Sequence, residues 1–265
     1  DVATEREGHA TALARDAAAR GVDVIVVHGG DGTLNEAANG IAGTATALAV
    51  MRGGTANVWA KETHCAKNPV AAMRAIVTGR RLRIDLGRAN GRYFLLMAGI
   101  GLDAAVVPRA GARMKRRFGA LAYIIAGVTT ALRTKPWPVR MTIDGDASER
   151  SLYWMLAGNT RSYGGIVRIT HRAVADDGLL DIALMRRGGV LHLIADGVRV
   201  LLRCHDRSPN VRYVRARGVD ITTPGIPVQL DGESHGATPL HIEVAPLALA
   251  VIVPANLRSP LFSRE

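Results

Sequence analysis

Apolar residues first recur along this chain with a helical period. Ala10, Leu13, Ala14, Ala17 and Ala18 fall at i, i+3, i+4, i+7 and i+8, and Gly21 follows, so the spacing predicts a helix over 9–20. The run Val22-Asp23-Val24-Ile25-Val26-Val27 reads as a buried strand leading into Gly29-Gly30-Asp31-Gly32-Thr33. A short helix over 34–39 leads out and ends at Gly40, with Thr33 and Glu36 at capping-box spacing. A second apolar run over 45–51 ends in Arg52-Gly53-Gly54-Thr55, which repeats the order of strand, glycine turn and helix. Asn68-Pro69 predicts a capped helix that stops near Gly79. After Arg80-Arg81 the period changes: Leu82, Ile84 and Leu86 alternate with Arg81, Arg83 and Asp85, as in a strand. Asn90-Gly91 predicts a hairpin whose second strand covers 92–98. Further strands are predicted over 139–143, 151–157, 180–185, 211–217, 219–222, 228–230, 240–244 and 248–253, interrupted by helices over 119–133 and 190–203.

This pattern predicts an α/β domain over residues 1–81 and a β-rich, sandwich-like domain over 82–265, whose last residues could return to the first. Two glycine turns at strand C-termini would face one crevice of a parallel sheet. A strand, a glycine turn and a helix N-terminus together hold phosphate, because free backbone N–H groups and the positive helix end point at the loop. Asp31 is the odd residue there. A carboxylate repels phosphate unless a cation lies between them, and Mg²⁺ shared by Asp31 and phosphate oxygens resolves the conflict. The loop is not a Walker loop, since Gly32-Thr33 has no lysine, nor a dinucleotide fingerprint, since Asn35 stands at the third glycine. On spacing alone, a turn that merely tolerates glycine and aspartate fits as well.

The 265 residues suffice for two domains, and 48% hydrophobic content supports packed cores. Uncharged apolar stretches such as 121–132 are too short to span a bilayer, and no signal peptide opens the sequence. Cys65 and Cys204 are the only cysteines, which gives neither a disulfide framework nor a zinc site; a reducing cytoplasm is the expectation. The net charge of +11, carried almost entirely by arginine, favours anionic partners. Arg109, Arg113, Lys115, Arg116 and Arg117 precede an apolar helix, an arrangement suited to anionic lipid headgroups at about 1 kcal/mol per residue. No RNA-reading aromatic pattern accompanies them, so nucleic acid is not expected. A homodimer stays open.

Gly29 to Glu36, Gly-Gly-Asp-Gly-Thr-Leu-Asn-Glu, resembles the nucleotide loop of the diacylglycerol kinase catalytic family, which includes sphingosine and ceramide kinases and soluble bacterial lipid kinases. NAD kinases share the shorter core Gly-Gly-Asp-Gly-Thr. Gly54-Thr55-Ala56-Asn57 resembles the family's second nucleotide motif, with Val58 where many relatives carry aspartate, and residues 3–10 resemble the segment in which a threonine reaches the nucleotide. The resemblance implies a nucleotide site of Thr4, Gly29, Gly30, Asp31, Gly32, Thr33, Leu34, Asn35 and Thr55, with ATP and Mg²⁺ as cofactors. Residues 173–179 resemble a segment that holds a structural Mg²⁺, here implying the Asp177 carboxylate and the carbonyls of Val174 and Leu179. Gln229-Leu230-Asp231-Gly232-Glu233 resembles the family's C-terminal pattern and implies Glu233 as general base, with Asp31 acting through the metal. Ala98 to Asp103, and Asn159 with Gly164-Gly165, extend the resemblance over nearly the whole chain. The family's upstream Asn-Pro and Ser-Gly loop has no counterpart, and the sequence begins at Asp1; the expectation is a truncated N-terminus or a site short of one wall. The resemblance thus implies an NAD-kinase/diacylglycerol-kinase-like fold and an ATP-dependent lipid kinase working at a membrane surface on diacylglycerol or a related alcohol. NAD kinase and an inactive nucleotide- or lipid-binding module are the alternatives.

Overall fold

The computed structural model describes residues 2–106, 130, 131, 133–165 and 167–263. The basic cluster of residues 109–117 and most of the helix predicted over 119–133 lie outside them. The chain opens with α1 (His9–Ala19), β1 (Val24–Gly29), α2 (Asp31–Ile41), β2 (Ala47–Arg52), α3 (Val58–Glu62) and α4 (Pro69–Val77). β1 and β2 pair in parallel from Val24 opposite Ala47 to Gly29 opposite Arg52, so both glycine turns leave the same sheet edge. Asn68 caps α4 as predicted, its side chain accepting from the Ala71 amide at 3.0 Å. The capping box at Thr33 does not form. α2 starts earlier, at Asp31, and Glu36 reaches the other way, accepting from Gly8 N at 2.9 Å and Ala10 N at 3.0 Å. It thereby satisfies free amides at the start of α1 and ties that helix to α2.

The β-rich part comprises β3 (Arg80–Ala89), β4 (Arg92–Phe94), β5 (Met97–Gly101), α5 (Leu102–Val106), β6 (Trp137–Ile143), β7 (Asp146–Leu152), β8 (Trp154–Gly158), β9 (Leu180–Met185), α6 (Val190–Leu201), β10 (Val211–Ala216), β11 (Gly218–Ile221), β12 (Pro227–Leu230), β13 (Glu233–Ala237) and β14 (Leu240–Val253). Among the described residues they form two sheets. An eight-stranded sheet runs β1-β2-β14-β11-β6-β7, with β3 on β14 and β4 on β3; a six-stranded sheet runs β10-β9-β8-β5-β12-β13. Phe94, Met141, Val219 and Ile242 from the first interdigitate with Ile100, Met155 and Ile182 from the second. β14 also pairs in parallel with β2 at Ala250 and Val251, so the last strand does return to the N-terminal part. No described helix is long and apolar enough to cross a membrane.

Four predicted strands changed shape, because the two sheets and not the local pattern decide which strand pairs with which. The strand predicted over 92–98 is two, β4 in one sheet and β5 in the other, and 151–157 is likewise divided between the end of β7 and β8. Conversely, the strands over 240–244 and 248–253 are one strand with a register shift between Ala245 and Leu249. Asp85, on the polar side of the alternation, is fully buried at that irregularity. Its carboxylate accepts from Leu247 N at 2.7 Å and Gly178 N at 2.6 Å.

Candidate active site

The site forms where the two glycine turns meet the β12–β13 turn. Gly30 caps α2 with extended backbone and no side-chain cap, so the first amides of the helix are open to a ligand. The second turn lies directly against the first. Gly53 N donates to Gly29 O at 3.0 Å, and a Cβ on Gly54 would stand 2.5 Å from Gly30 Cα. Gly53 and Gly54 of the second turn are therefore glycine for steric reasons. Gly54→Ala would push backbone against backbone, costing about 1–3 kcal/mol by overpacking and separating the turns. Nucleotide titration should show roughly tenfold weaker binding or worse. Unchanged affinity would mean that the spacing of the turns does not shape the site.

Glu233, from the opposite half of the chain, lies over the first turn. A Cβ on Gly32 would stand 2.8 Å from Glu233 Oε1. Glu233 Oε2 pairs with Arg92 Nη2 at 2.9 Å, and its side chain is 35% exposed. The guanidinium thus fixes one carboxylate oxygen and leaves the other toward the glycine loop.

Asp231 builds the turn that carries Glu233. Its carboxylate accepts from the amides of Leu95, Leu96 and Met97 at 2.8, 2.9 and 2.8 Å. Those amides belong to the crossing between β4 and β5, where strand pairing is interrupted, so Asp231 supplies the missing acceptors. Burial pushes the Asp231 carboxyl up to about 7 against these three hydrogen bonds, and the Asp31 charge adds to the rise. Gln229 supports the same turn. Its Oε1 accepts from Gly232 N at 2.6 Å, while its Nε2 donates to the buried Asp103 at 2.6 Å. Tyr163 also donates to Asp103, whose carboxyl burial raises. The sequence marks Asp231 and Gln229 only as members of the motif that carries Glu233 and does not mark Arg92, since their partners at Leu95 to Met97, Asp103 and Glu233 lie far along the chain.

Asp31 faces α3, accepting from Val58 N at 3.0 Å and Trp59 N at 3.3 Å. It thereby supplies acceptors for the first amides of α3; Thr55, expected at the nucleotide, is exposed on the second glycine turn, and Asn57, in the left-handed region, precedes the helix. Each Asp31 oxygen keeps a further lone pair. Hard carboxylate oxygen fits Mg²⁺ that is shared with ligand phosphates. Among the described residues no three His, Cys, Asp or Glu side chains converge to hold a metal by themselves.

Two members of the expected nucleotide set turn away. Leu34 is 1% exposed in the apolar core and its amide donates to Gly30 O at 3.1 Å, so neither its side chain nor its N–H is left for a ligand. Asn35 is equally buried. Its amide lies 3.3 Å from both Tyr93 O and Asp231 Oδ2, which makes it a positioning residue between α2 and the Asp231 turn. Helical periodicity explains both, because the positions after Thr33 rotate onto the buried side of α2. Thr33 and Gly29 to Gly32 remain at the surface of the loop, half-buried, and Thr4 is exposed on the lead-in to α1.

The expected structural metal site fits less well. Asp177 Oδ1 accepts from Leu179 N at 3.1 Å, and Oδ2 is ion-paired with the Arg215 guanidinium. A dication at Asp177 with the Val174 and Leu179 carbonyls would have to displace that guanidinium, which already supplies the positive charge.

Comparison with known proteins places both halves of the chain in described families. The family described as diacylglycerol kinase catalytic domain matches residues 2–89, and the family described as YegS C-terminal NAD kinase beta sandwich-like domain matches residues 97–253. The chain is 36% identical over 247 residues to a diacylglycerol kinase of Mycobacterium tuberculosis (strain ATCC 25618 / H37Rv), covering 91% of this chain and 80% of that one. It is 29% identical over 241 residues to a diacylglycerol kinase of Bacillus subtilis (strain 168), covering 89% and 80%. The crystal structure of a diacylglycerol kinase from Bacillus anthracis str. Sterne superposes with a TM-score of 0.76 at 29% identity, covering 95% of this chain and 84% of that one.

Proposed function

Because the chain belongs to the diacylglycerol kinase family of lipid kinases, we propose that it transfers the γ-phosphate of ATP to the hydroxyl of diacylglycerol or a closely related lipid alcohol. One observation carries the reading: the Glu233 carboxylate, from the second half of the chain, lies against Gly32 of the phosphate-type loop. Phosphoryl transfer needs little covalent chemistry from the protein and depends on positioning and charge. The open amides at the start of α2 and the touching glycine turns would hold the phosphate chain. Glu233 Oε1 would accept the hydroxyl proton as the oxygen attacks phosphorus, while Arg92 holds Oε2 and keeps the carboxylate in place. Asp31 would hold Mg²⁺ together with phosphate oxygens; the metal, when bound, offsets charge on the transferring group. Asp231 and Gln229 keep the Glu233 turn against β5.

The test is incubation with labelled ATP, Mg²⁺ and a panel of lipid alcohols, followed by identification of the product. Label in phosphatidic acid supports the reading; no label in lipid, with label in NAD in a parallel incubation that supplies NAD, overturns it.

A further inference from the structure

The helix α6 turns its apolar side outward. Leu191, Ile194, Val198, Leu201 and Leu202 recur at helical spacing and are 82%, 60%, 50%, 71% and 70% exposed. Its inner side is held by a polar anchor. Asp196 is 3% exposed and accepts from Ser208 Oγ at 2.8 Å and Asn210 Nδ2 at 2.6 Å. Leu193 and Val200 supply the remaining inward packing. An ordinary surface helix shows the opposite arrangement, apolar inward and polar outward. A stripe of this size on the surface marks contact with something outside the chain.

The charges around the stripe identify that partner. Arg186 and Arg187 are exposed just before the helix, and Arg203 is exposed just after it. At the C-terminal end of α6 a cleft of about 410 Å³ is lined by Lys61, His64, Arg161, Arg168 and Arg203 beside Leu201. Of the nearby acids, Asp196 is held by its hydrogen bonds and Asp206 by an ion pair with Arg172, while Glu62, 7% exposed, lines the cleft among a larger number of cations. An apolar stripe bordered by cations suits an acidic lipid surface, where side chains enter the acyl boundary and arginines meet phosphates. It suits a second copy poorly, because a two-fold contact through this face would oppose one basic rim with another.

We propose that α6 is the membrane-contact element of this protein and lies in the plane of an anionic bilayer. The proposal rests on the lipid-kinase reading for why the chain visits a bilayer, and it deepens that reading by naming the surface that docks. Lys61 lies on α3, the helix whose first amides Asp31 holds, so the docking face adjoins the element behind the second glycine turn.

The test is flotation of the full chain with vesicles of phosphatidylglycerol and phosphatidylcholine, lacking diacylglycerol and without nucleotide. The protein should float with the anionic vesicles, and markedly less with phosphatidylcholine alone. Ile194→Ser/Val198→Ser/Leu201→Ser should lower partitioning about tenfold or more with an unchanged melting temperature, since all three side chains are exposed. Arg186→Gln/Arg187→Gln should lower it too and weaken its dependence on salt. Equal partitioning of the triple variant and the unaltered protein would overturn the proposal, as would a concentration-dependent dimer that the triple variant dissolves. Transfer to short-chain diacylglycerol in monomeric solution reads the catalytic proposal separately. If such transfer fails while flotation succeeds, the kinase reading falls and the docking surface stands.

Discussion

Glu233→Gln is expected to lower kcat for phosphotransfer by roughly a hundredfold or more and to leave nucleotide affinity unchanged. Glutamine keeps the shape and one oxygen but cannot take the hydroxyl proton. The ion pair with Arg92 is part-exposed and adds about 0–1 kcal/mol to stability, so the fold should survive. Binding should survive too, because the amides at the start of α2 and the contact between Gly30 and Gly54 do not involve the Glu233 side chain. Steady-state kinetics alongside nucleotide titration separates the two effects. A variant with undiminished kcat would place the base elsewhere, and parallel loss of kcat and nucleotide binding would mean that Glu233 shapes the loop rather than the chemistry.

Asp231→Ala should be the most destabilising single change at the site, by about 3–5 kcal/mol. It removes the acceptor for three amides at once, where the chain crosses between sheets and no strand can replace it. Against a total stability on the order of 5–15 kcal/mol, urea denaturation should show a clearly lower midpoint, and a shift within error would refute the clamp. The same carboxyl gives a pH signature. Its pKa rises from an ordinary 3.8 to about 7 on folding, so between those pH values the folded chain keeps a proton that the unfolded chain has released. Its contribution therefore favours folding fully below pH 3.8 and is lost as pH rises through 7. Asp231→Asn should remove that part of the slope. Equal slopes in the two proteins between pH 4 and pH 7 would show that burial does not hold the proton there.

Much of the N-terminal half was legible because its information is local. The spacing of Ala10, Leu13 and Ala14, the apolar runs before two glycine turns, and Asn68-Pro69 each describe one element and its ends, and the structure holds all of them. Glu233 was singled out by resemblance alone, since nothing in Asp-Gly-Glu by itself distinguishes the proposed base from a surface turn. What could not be read is where chains far apart in sequence meet. β4 and β5 look like one strand until the two sheets demand that they part, and Asp231 looks like a turn residue until the amides of that crossing need an acceptor. Glu36 and Asp31 look like the cap and the metal ligand of their own loop, yet each spends hydrogen bonds on another helix.

The sequence by itself determined the order of elements, the two glycine turns and the hydrophobic faces, because periodicity and turn chemistry act within a few residues. Only the tertiary structure decided that Leu34 and Asn35 face inward, that Arg215 takes the carboxylate expected to bind a metal, and that α6 shows its apolar side to the outside. Each of these depends on how elements far apart in sequence pack against one another, and that is a property of the assembled fold.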